Sequence, residues 1–182
     1  MIIALYGGSG VGKTTIADLM VQKHGFKKIV TCTTREPRPG EAHGIHYHFL
    51  SRQEFEKRIA AGHFLEHAEY SGHRYGSLNE AIRSAASDKD ASYVMALELQ
   101  GIKSISKLCP DAARILLVAP HESILERLRG RNMDPKEIQN RFEEEKRYEE
   151  QARLFATAVF VNGDGQQEKT AALIADRFGK NA

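Results

Sequence analysis

Short apolar runs alternate along the chain with longer stretches whose apolar residues recur at helical spacing. This alternation is typical of an α/β fold in which helices cover both faces of a parallel sheet. The apolar runs predict buried strands at about residues 2–6, 27–31, 92–97, 114–119 and 158–161. The amphipathic stretches predict helices at about 13–24, 100–108, 121–130, 135–154 and 166–178. Asp134 and Pro135 mark the start of the long helix, because they supply an N-cap and a first-turn proline.

The middle third of the chain, about residues 32–91, breaks this rhythm. Two capping-box patterns, Ser51 with Glu54 and Ser77 with Glu80, predict the starts of two short helices. Short β-like pieces at 47–50 and 64–70 surround them, with a turn-rich stretch at 71–73. About 60 residues barely support an independent core. We therefore interpret this region as a subdomain inserted into the connections of the sheet.

Composition bounds the class of protein. The chain has 182 residues, of which 41% are hydrophobic and 27% charged, which favours one globular domain over a disordered or fibrous chain. The longest apolar runs are far shorter than the roughly 20 residues of a membrane-spanning helix, and no signal-peptide pattern follows Met1. A net charge of +2 gives no support for a nucleic-acid or membrane partner. Cys32 and Cys109 have no disulfide or metal spacing, so we expect a cytoplasmic protein.

A glycine-rich segment, Gly7 to Thr14, carries the strongest chemical signal. It matches G-x-x-x-x-G-K-[ST] and lies between a predicted strand and a predicted helix, the context that this phosphate-binding loop requires. Glycines let backbone N–H groups converge on phosphate oxygens, Lys13 reaches the β- and γ-phosphates, and the Thr14 hydroxyl ligates Mg²⁺. The alternative is a chance match in a glycine-rich turn. We predict that ATP and Mg²⁺ are bound by Gly8, Ser9, Gly10, Val11, Gly12, Lys13, Thr14 and Thr15.

A second cluster follows the second predicted strand. Arg35 and Arg38 stand three residues apart in a loop stiffened by Pro37 and Pro39. Two guanidinium groups held in this way suit a second phosphate, because each makes bidentate, charge-assisted contacts. A solvated basic turn is the alternative, and composition alone does not decide between the two.

With these motifs and several others in the same order, the chain resembles a guanylate kinase over nearly its whole length. The motifs that carry the resemblance are Gly-Gly-Ser-Gly-Val-Gly-Lys-Thr-Thr at 7–15, Thr-Thr-Arg-x-Pro-Arg-x-Gly-Glu at 33–41, Gly44-x-x-Tyr47-x-Phe49, Gly62-x-Phe64-Leu65-Glu66, Tyr75-Gly76-Ser77 and Leu99-Gln100-Gly101. The resemblance implies a P-loop NTPase fold: a five-stranded parallel core sheet flanked by helices, an inserted monophosphate-binding subdomain and a small helical lid. It divides the single domain into a core (about 1–31, 92–126 and 155–182), a monophosphate-binding region (about 32–91) and a lid (about 127–154).

The resemblance also assigns roles to residues. It implies that the acceptor phosphate is bound by Arg35, Arg38, Tyr47 and Tyr75, and that Glu41 orients the arginine loop. It implies that guanine is bound by Thr31, Glu66 and Ser77. A carboxylate such as Glu66 is a double acceptor for the N1–H and 2-amino donors of guanine. Lid arginines matching Arg127, Arg131 and Arg141 close over the transferring phosphate; pairing with helix-surface glutamates is their alternative role. Asn162 matches an asparagine near the adenine of ATP, although an asparagine at a strand end is often part of a turn.

Two segments depart from the family pattern. The family's Asp-x-Asp before the Gln-Gly step is replaced by Ala96 and Glu98, and we hypothesise that Glu98 covers both acidic roles, near the acceptor base and the metal. His46 stands where the family commonly has Asp. Its neighbours His43, His48, His63, His67 and His73 raise the alternative of a metal site, but solvated side chains fit the spacing better.

We therefore expect ATP-dependent phosphorylation of GMP, and of dGMP, by a monomer or homo-oligomer whose partners are small molecules. Two alternatives stay open: a kinase of the same fold with another or modified nucleoside monophosphate as acceptor, and a guanylate-kinase-like binding domain without catalysis. A GTPase is disfavoured, because the chain has no Asn/Thr-Lys-x-Asp guanine motif.

Overall fold

Strands and helices alternate along the chain in the computed structural model, which describes residues 1–8, 10–70, 72–120, 122–124, 126 and 147–179. The strands are β1 (Ile2–Tyr6), β2 (Lys27–Lys28), β3 (Cys32–Thr33), β4 (His48–Phe49), β5 (Phe64–Tyr70), β6 (His73–Leu78), β7 (Tyr93–Ala96), β8 (Ala113–Val118) and β9 (Ala158–Val161). The helices are α1 (Lys13–His24), α2 (Arg52–Ala60), α3 (Asn79–Ser87), α4 (Leu99–Leu108) and α5 (Gln167–Phe178). Residues 147–153 are also helical.

Within the described residues, the core is a five-stranded sheet in the order β2-β7-β1-β8-β9, with every neighbouring pair parallel. Every residue of β1 is buried because both of its faces are covered. Ile3 and Leu5 pack with Ile16 of α1, whereas Ala4 and Tyr6 belong to a second hydrophobic cluster on the opposite face. The predicted α/β fold with a parallel sheet is therefore confirmed.

The second predicted strand is shorter than expected. Residues 27–31 were expected to form it, but regular pairing covers only Lys27–Lys28, followed by one further bond from the Ile29 N–H to the Val94 carbonyl. The chain then leaves the core sheet, and Cys32–Thr33 joins a different sheet. The predicted helix at 121–130 and the start of the one at 135–154 lie largely outside the described residues.

The middle third of the chain forms a second sheet, which in the described structure has the strand order β4-β3-β6-β5. It has a small core of its own, in which Phe55 of α2 stacks on Phe64 of β5 with ring centroids 4.4 Å apart. The Ser51 cap is confirmed, because its hydroxyl accepts the Glu54 N–H at 3.1 Å. The Ser77 cap is wrong: Ser77 is buried in β6, and Leu78 occupies the N-cap position of α3. Ser77 is instead used in pairing with β5.

The carboxyl ends of β1 and β7 meet at one edge of the core sheet, where parallel α/β folds bind ligands. The N-termini of α1 and α4 follow these two strands directly. None of the helices in the described part of the chain is long and apolar enough to cross a membrane.

Candidate active site

The loop between β1 and α1 has a backbone that only glycine allows at two points. Gly7 has φ 145°, and a Cβ there would lie 2.2 Å from the Leu117 carbonyl oxygen. Gly12 has φ 95°, and its Cβ would lie 2.5 Å from the Asn162 side-chain nitrogen. Gly12 is also the N-cap residue of α1, so the loop ends at a helix N-terminus, where N–H groups and the helix dipole favour an anion.

Asn162 supports this loop from inside the protein. Its side chain is fully buried at the end of β9, and its amide donates to the Val11 carbonyl at 2.8 Å. Its backbone N–H donates to Val118, which continues the pairing of β9 with β8. Burial encloses the side chain, which holds the backbone of the phosphate-binding loop. Its contact with adenine stays a prediction.

Lys13 connects the loop with the next strand end. Its Nζ donates to the carbonyl oxygens of Gly7 at 2.6 Å and Gly8 at 3.1 Å. It also lies 3.4 Å from Oε1 of Glu98, at the N-cap position of α4. Of the next two residues, Thr14 is half-buried and Thr15 is exposed. Two carbonyl oxygens and one carboxylate oxygen therefore surround the Lys13 ammonium.

Arg35 is fixed from several sides. Its Nη2 donates to both carboxylate oxygens of Glu41, each at 2.9 Å, and its Nη1 donates to the Glu36 carbonyl at 2.6 Å. It also lies over the rings of Tyr47, at 5.6 Å, and Phe49, at 5.9 Å. Burial alone would raise the pKa of Glu41, but the Arg38 backbone N–H and the Arg35 guanidinium outweigh it, so this pKa is lowered. The pair is preorganised, because little side-chain freedom is left to lose.

Arg38 differs from Arg35, since its side chain is exposed while its backbone N–H donates to Glu41 at 2.8 Å. The ring of Tyr47 meets that of Tyr75 edge-on, with centroids 6.2 Å apart. Burial raises the pKa of Tyr47, and Tyr75 and Glu98 add to the shift. The Tyr47 hydroxyl therefore stays protonated at neutral pH and is able to donate to a phosphate.

Glu66 is aimed at the N-terminal turn of α4 by an irregularity in its strand. The pairing of β5 with β6 shifts by one residue between Phe64 and Glu66, which places Glu66 opposite Ser77. The Glu66 carboxylate then lies against Gly101, where a Cβ would be 3.1 Å from its Cδ. Burial raises the pKa of Glu66, Ser77 partly offsets this, and Glu98 adds to the increase. A bulge that redirects one side chain is common beside active sites.

The two remaining residues expected at the base site are also buried beside this strand pair. Thr31 is 9% exposed, and its carbonyl accepts the His48 N–H at 2.8 Å. Ser77 is fully buried in β6. Ser9, Arg127, Arg131 and Arg141 lie outside the described residues.

Glu98 brings the two halves of the site together. Its carboxylate lies 3.4 Å from Lys13 Nζ on the side of the phosphate-binding loop. On the other side it acts electrostatically on Tyr47 and on Glu66. Because Tyr47 lies against Arg35, Glu98 connects the side of the glycine loop with the side of the arginine loop. This geometry suits two nucleotides whose phosphates meet in the middle.

Three structural contributors had been given no role from the sequence. Phe49 packs on Arg35, and Gly101 leaves room for Glu66. Both residues belong to motifs of the family resemblance, so their positions within those motifs were the signal in the sequence. His46 is half-buried, and its Nδ1 accepts the Ala42 N–H at 3.0 Å, a contact that no sequence pattern announces. Among the described residues, no group of three or more His, Cys, Asp or Glu side chains is arranged to hold a metal ion.

Comparison with known proteins shows the family to which the chain is similar. The guanylate kinase family model matches residues 1–174. A guanylate kinase of Neisseria gonorrhoeae is 36% identical over 167 residues, covering 90% of this chain and 80% of the relative. The guanylate kinase of the pig, Sus scrofa, is 40% identical over 138 residues, covering 74% and 69%. The crystal structure of guanylate kinase from Anaplasma phagocytophilum superposes with a TM-score of 0.74 at 24% identity, covering 97% of this chain and 83% of that one, and it shows the same fold. The chain therefore belongs to the guanylate kinase family.

Proposed function

We propose that this protein catalyses ATP + GMP ⇌ ADP + GDP and that it also accepts dGMP. The observation that carries the proposal is the position of Glu98, between Lys13 of the donor loop and the acceptor-side residues Tyr47 and Glu66. We infer that one cleft contains a triphosphate-binding loop and a second, arginine-based phosphate site. Family membership supports the same activity.

On the donor side, the amides of the Gly7–Gly12 loop and Lys13 bind the phosphates of ATP. Thr14 and the nucleotide phosphates would hold Mg²⁺, with Glu98 near its water shell. The hard oxygen donors present fit this ion, which usually binds through few protein ligands and substrate phosphates, and when bound it would neutralise charge on the transferring group. Asn162 acts indirectly, by fixing the Val11 carbonyl.

On the acceptor side, Arg35, Arg38, Tyr47 and Tyr75 hold the phosphate of GMP. An anionic oxygen of that phosphate attacks the γ-phosphorus of ATP, and the bond from that phosphorus to the β,γ-bridging oxygen breaks, releasing ADP. No general base is needed because the attacking oxygen carries no proton. Alignment and charge neutralisation therefore provide the catalysis.

Glu66, Ser77 and Thr31 select the base. A carboxylate faces two donors on guanine, but adenine would present its N1 lone pair to it. Sites that depend on such pairing reject the wrong partner by about 10⁴–10⁵-fold. We also propose that residues of about 127–154 form the lid, with Arg127, Arg131 and Arg141 acting on the transferring phosphate, and that the protein is cytoplasmic.

The test is ADP formation from ATP and Mg²⁺ with GMP, dGMP, AMP, CMP or UMP as acceptor, using the wild type and Glu66→Gln. We expect strong preference for the guanine nucleotides, and loss of that preference in Glu66→Gln. Glu69→Gln is the matched control, because this exposed residue lies on the same strand and its carboxylate forms ion pairs with Arg52 and Arg74. Equal turnover of AMP or CMP would favour a different acceptor, and no turnover with any acceptor would favour a binding domain.

A further inference from the structure

His46 closes the turn that carries two acceptor-side residues. The turn begins after Arg38, whose carbonyl accepts the Glu41 N–H at 2.9 Å, and it ends at Tyr47, whose carbonyl accepts the Gly44 N–H at 2.9 Å. Within it, the His46 ring accepts the Ala42 N–H at 3.0 Å, and the His46 N–H donates to the Ala42 carbonyl at 3.1 Å. His46 therefore binds Ala42, which follows Glu41 in the chain, and His46 itself directly precedes Tyr47.

This hydrogen bond requires a neutral imidazole. A backbone N–H only donates, so the ring nitrogen that faces Ala42 must present a lone pair, and the ring proton must be on Nε2. Protonation of the ring puts a second N–H against the Ala42 N–H and breaks the bond. Histidine is the residue type whose charge most often changes within the physiological pH range.

The residue type at this position makes the turn sensitive to pH. In both histidine and aspartate, the accepting atom is bonded to Cγ, so Nδ1 of histidine and Oδ1 of aspartate reach the same place. The aspartate common in the family would supply an acceptor that stays ionised above about pH 4. Histidine at position 46 supplies that acceptor only when it is neutral.

We propose that His46 is a positioning residue for the acceptor phosphate: its neutral ring sets the turn that presents Glu41 and Tyr47 to Arg35, and its protonation weakens GMP binding. This inference rests on the proposed function, because the acceptor is taken to be GMP.

Other groups near the turn also carry charge or titrate. They lie within the turn and on β4, α2, β6 and the start of α4, and they are Arg35, Arg38, Glu41, His43, His48, Arg58, Tyr75 and Glu98. The second ionisation of the GMP phosphate falls in the same pH range. All of these are the same in the wild type and in His46 variants, so a comparison of the two isolates the contribution of His46.

The first test is calorimetric GMP affinity at pH 5.5, 6.5 and 7.5 for the wild type, His46→Asn and His46→Ala. Asparagine places an acceptor that does not titrate on the same Cγ. Between pH 7.5 and 5.5, we expect the wild type to lose affinity by roughly two- to tenfold more than His46→Asn, the range for one hydrogen bond. His46→Ala should bind weakly at every pH, with no more pH dependence than His46→Asn. His24→Asn, at the far end of α1, is the matched control and should follow the wild type. Parallel pH profiles for the wild type and His46→Asn would overturn the proposal.

The second test needs neither a variant nor activity. In an NMR titration of the wild-type protein, the Ala42 amide proton shift should follow the titration of the His46 ring. An Ala42 amide that does not respond would refute the inference. If GMP fails to bind at any pH, the proposed function fails, while this titration still decides whether His46 controls the turn.

Discussion

Gly101→Ala probes the close contact between α4 and the Glu66 carboxylate. The new Cβ would lie 3.1 Å from Glu66 Cδ and 3.3 Å from Glu66 Oε2. Few Cβ atoms in proteins have a contact shorter than 3.4 Å. The carboxylate must therefore move by about 0.3 Å. It is proposed to make two charge-assisted hydrogen bonds to guanine, each contributing about 1.5–3 kcal/mol. Losing the equivalent of one such hydrogen bond, taken at about 1.5 kcal/mol, raises the KM for GMP roughly tenfold.

The same substitution should leave the fold intact. Alanine is favoured over glycine in a helix by about 1 kcal/mol, which offsets strain from the new contact. The measurements are the KM for GMP at saturating ATP and the free energy of unfolding. Gly163→Ala is the control, because its Cβ would meet only the Gln166 side chain, at 3.7 Å. A stable Gly101→Ala protein with a KM for GMP within twofold of the wild type would refute the assignment of Glu66 as the base reader.

Three further substitutions have distinct expected effects. Glu41→Gln removes the negative charge that pairs with Arg35 Nη2 and should raise the KM for GMP about tenfold or more, which steady-state kinetics would measure. Burial raises the pKa of Glu66, so its contribution to stability falls as pH rises through that pKa; Glu66→Gln should therefore raise the melting temperature at pH 7–8, and a lower value would contradict this. Because the Glu66 pKa is raised and its ionised carboxylate is the proposed acceptor for guanine, GMP binding should weaken as the pH falls and Glu66 becomes protonated. Glu98→Gln should raise the Mg²⁺ requirement or the KM for GMP several-fold, and an unchanged rate would dispose of its dual role beside Lys13.

The core of the fold was predictable because its signals are local and repeated. The apolar run of β1 leads into the glycine loop, and α1 begins at Lys13, as the sequence predicted. The second sheet was harder to predict. Cys32–Thr33 is a strand because it pairs with β4 and β6, which are distant in sequence, and a two-residue strand has no periodicity to detect.

Ser77 and Asn162 show why residue type alone can mislead. Ser77 has the spacing of a capping box, but pairing of β6 with β5 takes that backbone into a strand and leaves Leu78 as the cap. Asn162 follows a strand, where turns are common, yet the packing of β9 beside the glycine loop buries it against Val11. In both cases tertiary contacts override the local preference.

The central claim is that the glycine loop and the arginine loop face one cleft and bind two nucleotides end to end. It is tested most directly by a crystal structure with adenosine and guanosine joined by a chain of five phosphates. The account predicts that the phosphate chain runs from the amides beside Lys13 to Arg35 and Tyr47, with guanine hydrogen-bonded to Glu66. A guanine bound elsewhere, or an Arg35 loop that contacts no phosphate, would contradict it.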